Sequence, residues 1–183
     1  DKDNSLNSLQ QSLNNMTKEL SATEPDVEEF RYHLENYFFR LSGFYDRSII
    51  LTGFWIGMDE RSLSRMGTKQ KVSKYIKDNK LSSVSEKLKI LEKLVMPYRK
   101  YRNEIAHESQ LSSLGIGLFS SAMKFRGMLP TYNITMLFKE HFQEHVDGYQ
   151  LLKSKLQEAC YDLITLLSNE FDLLNFINSH HKP

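Results

Sequence analysis

The sequence predicts an all-α fold, an up-and-down bundle of four to five main helices. Three observations carry this. Apolar residues recur at three- and four-residue intervals through most of the chain, no segment reads as a strand, and capping or breaking residues separate the periodic runs. The 183 residues suit one domain with an appendage, long enough to bury a core. Residues 1–25 read as the appendage and residues 26–183 as the helical domain.

The first element, SLNSLQQSLNNMTKEL (5–20), sets Leu6, Leu9, Leu13, Met16 and Leu20 at helical spacing among Asn, Gln and Ser. That narrow stripe fits a helix packed on a domain edge. SATEPD closes it. Asp26 with Glu29 three positions on forms a capping box, and Pro25 stops any earlier helix. A long helix follows from about Val27 to Gly57, apolar on almost two sides, as in a helix buried by several neighbours. Its run SIILTGFWIGM (48–58) lies closely between Arg47 and Asp59, so it reads as a buried helix end and not as a membrane span.

DERSLSRMGT (59–68) is a turn-rich connection. KQKVSKYIKDNK (69–80) is a short basic helix with Val72, Tyr75 and Ile76 inward. The next helix runs from about Val84 to His107, kinked or restarted at Pro97. Residues 108–132 lack periodicity, and LGIGLF within them reads as a mobile loop, since no strand precedes its Gly-x-Gly. Asn133 caps a helix to about Val146, Asp147-Gly148 marks a turn, and a last helix runs from about Tyr149 to Ile177.

Composition excludes several classes of function. Hydrophobic residues are 40% and charged residues 26%, as in ordinary globular proteins. A formal net charge of +1 gives no bulk attraction to nucleic acid or membrane, so any RNA contact has to be local. Cys160 is the only cysteine, which leaves no intrachain disulfide and no cysteine-based zinc site, and fits a reducing, cytoplasmic setting. The beginning of the chain lacks the basic-then-apolar form of a signal peptide. His141 and His145 stand four apart beside Glu140 and Glu144 with no third converging ligand, so a solvated helix face is expected there and neither a metal nor a cofactor. Cys160 reads as a small core residue.

The informative stretch is YRKYRNEIAHES (98–109). At 100° per residue from Leu91, the side chains of Leu94, Val95, Tyr98, Tyr101 and Ile105 share one sector, and Arg102 falls within it. Arg99, Asn103 and His107 form a second row, each four apart. An arginine in an apolar stripe is costly unless its charge is paired or reaches water. Two readings stay open. Arg102 snorkels or pairs with an acid such as Glu104, or this face is a cleft or subunit interface that receives a phosphate. The residue types suit the second task. Guanidinium forks match phosphate oxygens, imidazole exchanges protons near neutrality, and an amide orients either partner. Attack of an RNA 2′-hydroxyl on its own phosphate needs a base, an acid and a stabiliser of the charged transition state. One helix supplies one histidine, and a two-fold dimer supplies two.

RNEIAH (102–107) resembles the Arg-x4–6-His motif of HEPN domains, with the polar Asn directly after the Arg. The long preceding helix LENYFFRLSGFYDRSIILTGFWIG (34–57) is similar to the family's prokaryotic groups with an aromatic first helix, and the resemblance covers about residues 27–177. It implies an α-helical bundle, a homodimer through the Arg102–His107 helix, and in many members a metal-independent endoribonuclease of toxin–antitoxin or phage-defence systems. Other members are non-catalytic and bind a nucleotide or a regulatory protein, which is the alternative function. On the resemblance, Arg102 contacts the phosphate, His107 is the acid–base residue and Asn103 positions. The implied partners are an RNA substrate, a second copy, and an antitoxin or nucleotidyltransferase. Some family toxins carry a modifiable tyrosine two places after the histidine, where this chain has Ser109. The basic set Lys69, Lys71, Lys74, Lys77 and Lys80 reads as a solvated helix face or, on the ribonuclease reading, as an RNA-backbone track, with Lys74, Lys77 and Arg99 as the candidate contacts.

Overall fold

The computed structural model describes residues 2–64, 66–108, 111, 114–125 and 133–171. These residues are all-α. The elements are α1 (Lys2–Ser21), α2 (Val27–Trp55), α3 (Glu60–Leu63), α4 (Thr68–Asp78), α5 (Ser82–Val95), a 3₁₀ turn (Met96–Tyr98), α6 (Arg99–Glu108), α7 (Ile116–Lys124) and α8 (Ile134–Glu170). No helix among the described residues is long and apolar enough to cross a membrane.

The chain divides into two compact units, and both α2 and α8 contribute to each. The first takes the described residues up to Ser42 and from Pro97 to Ser154. The second takes Gly43–Met96 and the described residues from Lys155 onward.

In the first unit the stripe of α1 is buried throughout, from Leu6 to Leu20. Polar contacts fix α1 on α2: Arg40 donates to the Ser8 carbonyl at 2.7 Å, and Asn15 meets His33 at 3.4 Å. The start of α2 is capped by Asp26, whose carboxylate accepts from the Glu28 and Glu29 amides. Only half of the capping box forms. Glu29 turns to His33 at 3.0 Å, and it is Glu19 that accepts from the Asp26 amide. Phe30 sits at the centre of a ring cluster with Phe138 and Phe142 of α8, at 5.2 and 4.9 Å between centroids.

Two segments expected to be irregular are helical in this unit. LGIGLF is not a loop: Gly115 adopts a left-handed φ of 71° and starts α7, whose Phe119 packs on Phe138 and Phe142. The apolar residues there are too few for a visible period, but Ile116 is fully buried, Phe119 docks on α8 and the Ser120 hydroxyl donates to Glu28 of α2, and together these contacts hold the helix. Asp147-Gly148 is not a turn either, because α8 runs through it without a break. Phe142, Val146, Tyr149 and Leu152 are all buried, so one apolar stripe crosses the pair. Packing outweighs the roughly 1 kcal/mol that a helical glycine costs. The last part of the expected 149–177 helix, beyond Phe171, lies outside the described residues.

The second unit buries Phe44, Tyr45 and Ile49 of α2 with residues of α4, α5 and α8, including Val72, Leu88, Leu91, Cys160 and Leu163. The connection after α2 contains α3, capped by Asp59 through the Ser62 amide at 2.9 Å. Of the three residues expected inward on α4, Val72 and Ile76 are buried, but Tyr75 is 37% exposed. Lys87 of α5 pairs with Asp162 of α8 at 2.6 Å. Pro97 ends α5 as expected, through the 3₁₀ turn that leads into α6.

Gly53 of α2 marks a close approach. A Cβ there would lie 2.3 Å from Leu63 Cδ2 and 3.2 Å from Val72 Cγ2. Gly53→Ala should therefore destabilise the protein. The overpacking cost of about 1–3 kcal/mol exceeds the gain in helix propensity of up to about 1 kcal/mol. A lowered urea midpoint checks this, and an unchanged or raised midpoint contradicts it.

Candidate functional site

Helix α6 is positioned by its inward residues. Tyr98, Tyr101 and Ile105 turn toward the core, and Ile105 is buried. Phe38 of α2 stacks on Tyr101 at 4.7 Å and on Tyr98 at 6.2 Å, with interplanar angles of 29° and 22°. Tyr149 of α8 meets Tyr98 edge-on at 6.0 Å and stacks on Tyr37 at 5.2 Å. The Tyr37 hydroxyl donates to the Tyr149 carbonyl at 3.1 Å. Burial, and then the neighbouring phenols, push the Tyr37 and Tyr149 hydroxyls far above the usual phenol range, so both stay neutral. Beyond α6, the Leu111 amide donates to Glu35 of α2 at 2.8 Å. The helix is thus held at both ends against α2.

The outward residues are the candidates. Arg102, Asn103 and His107 are exposed, and Arg99 is half-buried. Arg102 does not occupy the apolar stripe as its phase suggested. Residues 98, 101 and 105 suffice to fill the inward sector, and position 102 falls on its flank. The Arg102 guanidinium extends across the surface and donates to Asn103 Oδ1 at 3.3 Å. This contact has a geometric consequence. Arg102 and His107 leave the helix axis about 140° apart, whereas Asn103 stands one turn from His107 on the same side. Bonding to Asn103 swings the guanidinium toward the histidine row. Lys100, with its ammonium 4.7 Å from the Tyr101 ring, adds to the positive charge of this helix.

Lys74 and Lys77 belong to the second unit. Both are exposed on α4, and Lys77 also lines a cavity with Lys69 and Lys80. Among the described residues no group of three or more His, Cys, Asp or Glu is placed to hold a metal ion.

The sequence concealed the aromatic clamp around α6. Tyr98 and Tyr101 were legible as inward residues, but not their partners on α2 and α8. It also concealed the surroundings of His145, whose ring stacks on Tyr149 at 6.2 Å and meets His141 at 5.4 Å. Burial and the adjacent His141 hold the His145 imidazole below its usual 6.5, against an opposing pull from Glu144. An unfolded histidine takes up a proton at its ordinary pKa, so the unfolded state binds more protons as pH falls through about 6.5. The stability contributed by neutral His145 is complete above that pH and is lost below it. The urea midpoint should fall between pH 7.5 and pH 5.5, and His145→Gln should flatten that fall. An identical pH profile for the variant would show that this histidine contributes nothing.

A family model described as HEPN_Cthe2314-like HEPN matches residues 3–175 of the chain. No curated protein and no solved structure matches it.

Proposed function

The chain belongs to the HEPN_Cthe2314-like HEPN family, and from this premise we propose that it is a metal-independent endoribonuclease acting as a homodimer. The observation that carries the reading is the outward set Arg102, Asn103 and His107 on a helix clamped by buried aromatics. Two such helices brought together would present two guanidinium groups and two imidazoles to one RNA phosphate. The 2′-hydroxyl attacks the adjacent phosphorus while His107 removes its proton. His107 of the partner subunit protonates the departing 5′-oxygen. Arg102 stabilises the charge that grows on the phosphoryl oxygens, and Asn103 holds Arg102 on the histidine side. The products are a 2′,3′-cyclic phosphate and a 5′-hydroxyl. Arg99 would hold a neighbouring phosphate, and Lys74 and Lys77, exposed on α4 of the second unit, are candidate RNA-backbone contacts in their own right.

The setting we propose is that of a cytoplasmic toxin or phage-defence effector, silenced by an antitoxin. Ser109, where some family toxins carry a modifiable tyrosine, argues against silencing by a nucleotidyltransferase at that position. A test incubates RNA with the protein in excess chelator and identifies the new ends. Cyclic phosphate and 5′-hydroxyl ends support the reading, and 5′-phosphate ends or intact RNA refute it. The alternative, a non-catalytic module for a nucleotide or regulatory protein, predicts intact RNA with phosphate-ligand binding that Arg102→Ala weakens.

A further inference from the structure

In the second unit, α4, the turn after it and α5 border a cavity of about 610 Å³. Its apolar floor includes Tyr45 and Ile76, both buried. Its rim carries Lys77 from the end of α4, Lys80 from the turn and Lys89 from α5, all exposed. Glu92, the acid of the lining, is engaged by Lys69. Lys77, Lys80 and Lys89 have no ion-pair partner among the described residues. Three unpaired ammonium groups around one concavity repel one another and focus a positive field into it. Lys80 owes its place on the rim to the way α4 ends. Its left-handed φ of 56° closes the helix, with the Lys80 amide donating to the Lys77 carbonyl at 3.1 Å and the Leu81 amide to the Ile76 carbonyl at 2.9 Å. Glycine is the usual residue at such a helix end, so a lysine there carries some backbone strain.

We propose that this cavity binds an oligophosphate group, either carried on a nucleoside or free as inorganic polyphosphate. Ammonium groups are point-charge ligands for phosphate. Three of them from separate elements suit two or three linked phosphates better than one. The Ser82 and Ser85 hydroxyls, also in the lining, supply neutral donors. The volume lies in the range of about 300–1,000 Å³ typical of small-ligand sites. The site uses none of the α6 residues and does not depend on the ribonuclease reading. Of the two α4 lysines considered as RNA contacts, it claims Lys77 and leaves Lys74 on the open face.

Calorimetry and thermal unfolding of the full chain with ATP, inorganic triphosphate, adenosine and single-stranded RNA test the proposal. ATP or triphosphate should bind and raise Tm, and adenosine should do neither. Binding of triphosphate assigns the phosphates alone as the ligand, whereas binding of ATP without triphosphate assigns a nucleoside-borne group. Lys77→Ala and Lys89→Ala should each weaken binding about tenfold. Lys80→Gly separates this role from a structural one. It relieves the left-handed backbone, so the free protein should unfold at the same or a higher temperature while binding weakens. The proposal fails if neither ATP nor triphosphate binds at millimolar concentration, if adenosine binds as well as ATP, or if the three variants bind like wild type. RNA binding that needs these lysines, without triphosphate binding, would assign the cavity to RNA and also overturn it.

Discussion

His107→Ala should cut RNA at least about 10²-fold more slowly than wild type, and up to about 10⁴-fold if both proton transfers depend on that imidazole. The fold should change little. His107 is exposed in the last turn of α6, where losing a side chain at a helix end costs at most about 1 kcal/mol. Arg102→Ala should cost about 10²–10³-fold through lost stabilisation of the phosphoryl oxygens. Initial rates on a labelled RNA, beside urea melts of the same preparations, separate the chemical loss from a stability loss. A His107→Ala protein that cleaves at the wild-type rate would remove the histidine from the mechanism.

Phe38→Ala should be among the most damaging single substitutions in the first unit. Phe38 is 1% exposed and stacks on both Tyr98 and Tyr101. Truncating a buried phenylalanine costs about 3–5 kcal/mol, a large part of the 5–15 kcal/mol that a domain typically holds. The loss also reaches the candidate site, because the same ring sets the position of α6. A displacement of about 1 Å at the reacting groups can cost about 10²-fold in rate. Cleavage by Phe38→Ala should therefore fall even at temperatures where the variant remains folded. Phe38→Leu should recover stability before it recovers rate, since leucine fills volume without the flat face. Urea midpoints and rates measured together check this, and a Phe38→Ala protein with a wild-type midpoint would contradict the packing account.

The sequence exposed whatever is local and periodic. The α1 stripe, the Asp26 cap, the break at Pro97 and the Arg–His spacing of α6 each depend on residues within one or two turns. It misled where a distant partner decides. Asp147-Gly148 has the composition of a turn, but buried residues on both sides of it hold α8 straight. Gly115 and the short run after it have no period of their own, and distant partners make a helix of them, as Ile116 is buried, Phe119 docks on α8 and Ser120 bonds to Glu28 of α2. Arg102 had the phase of a core residue, yet a long side chain at the flank of a narrow inward sector can reach Asn103 over the surface. The cavity of the second unit was the least legible feature. Lys77 and Lys80 read as part of one solvated helix face and Lys89 belongs to no motif, until the turn after α4 gathers the three around one opening.

The central claim is that α6 carries half of an RNA-cleaving site, which a second copy completes. The most direct measurement titrates wild-type protein with His107→Ala protein, in excess chelator, and follows cleavage of one labelled RNA. If each cleft needs both imidazoles, activity per wild-type protomer should fall as mixed dimers form. Wild-type protein that leaves the RNA intact, or a cleavage rate that the added variant does not change, would contradict the claim.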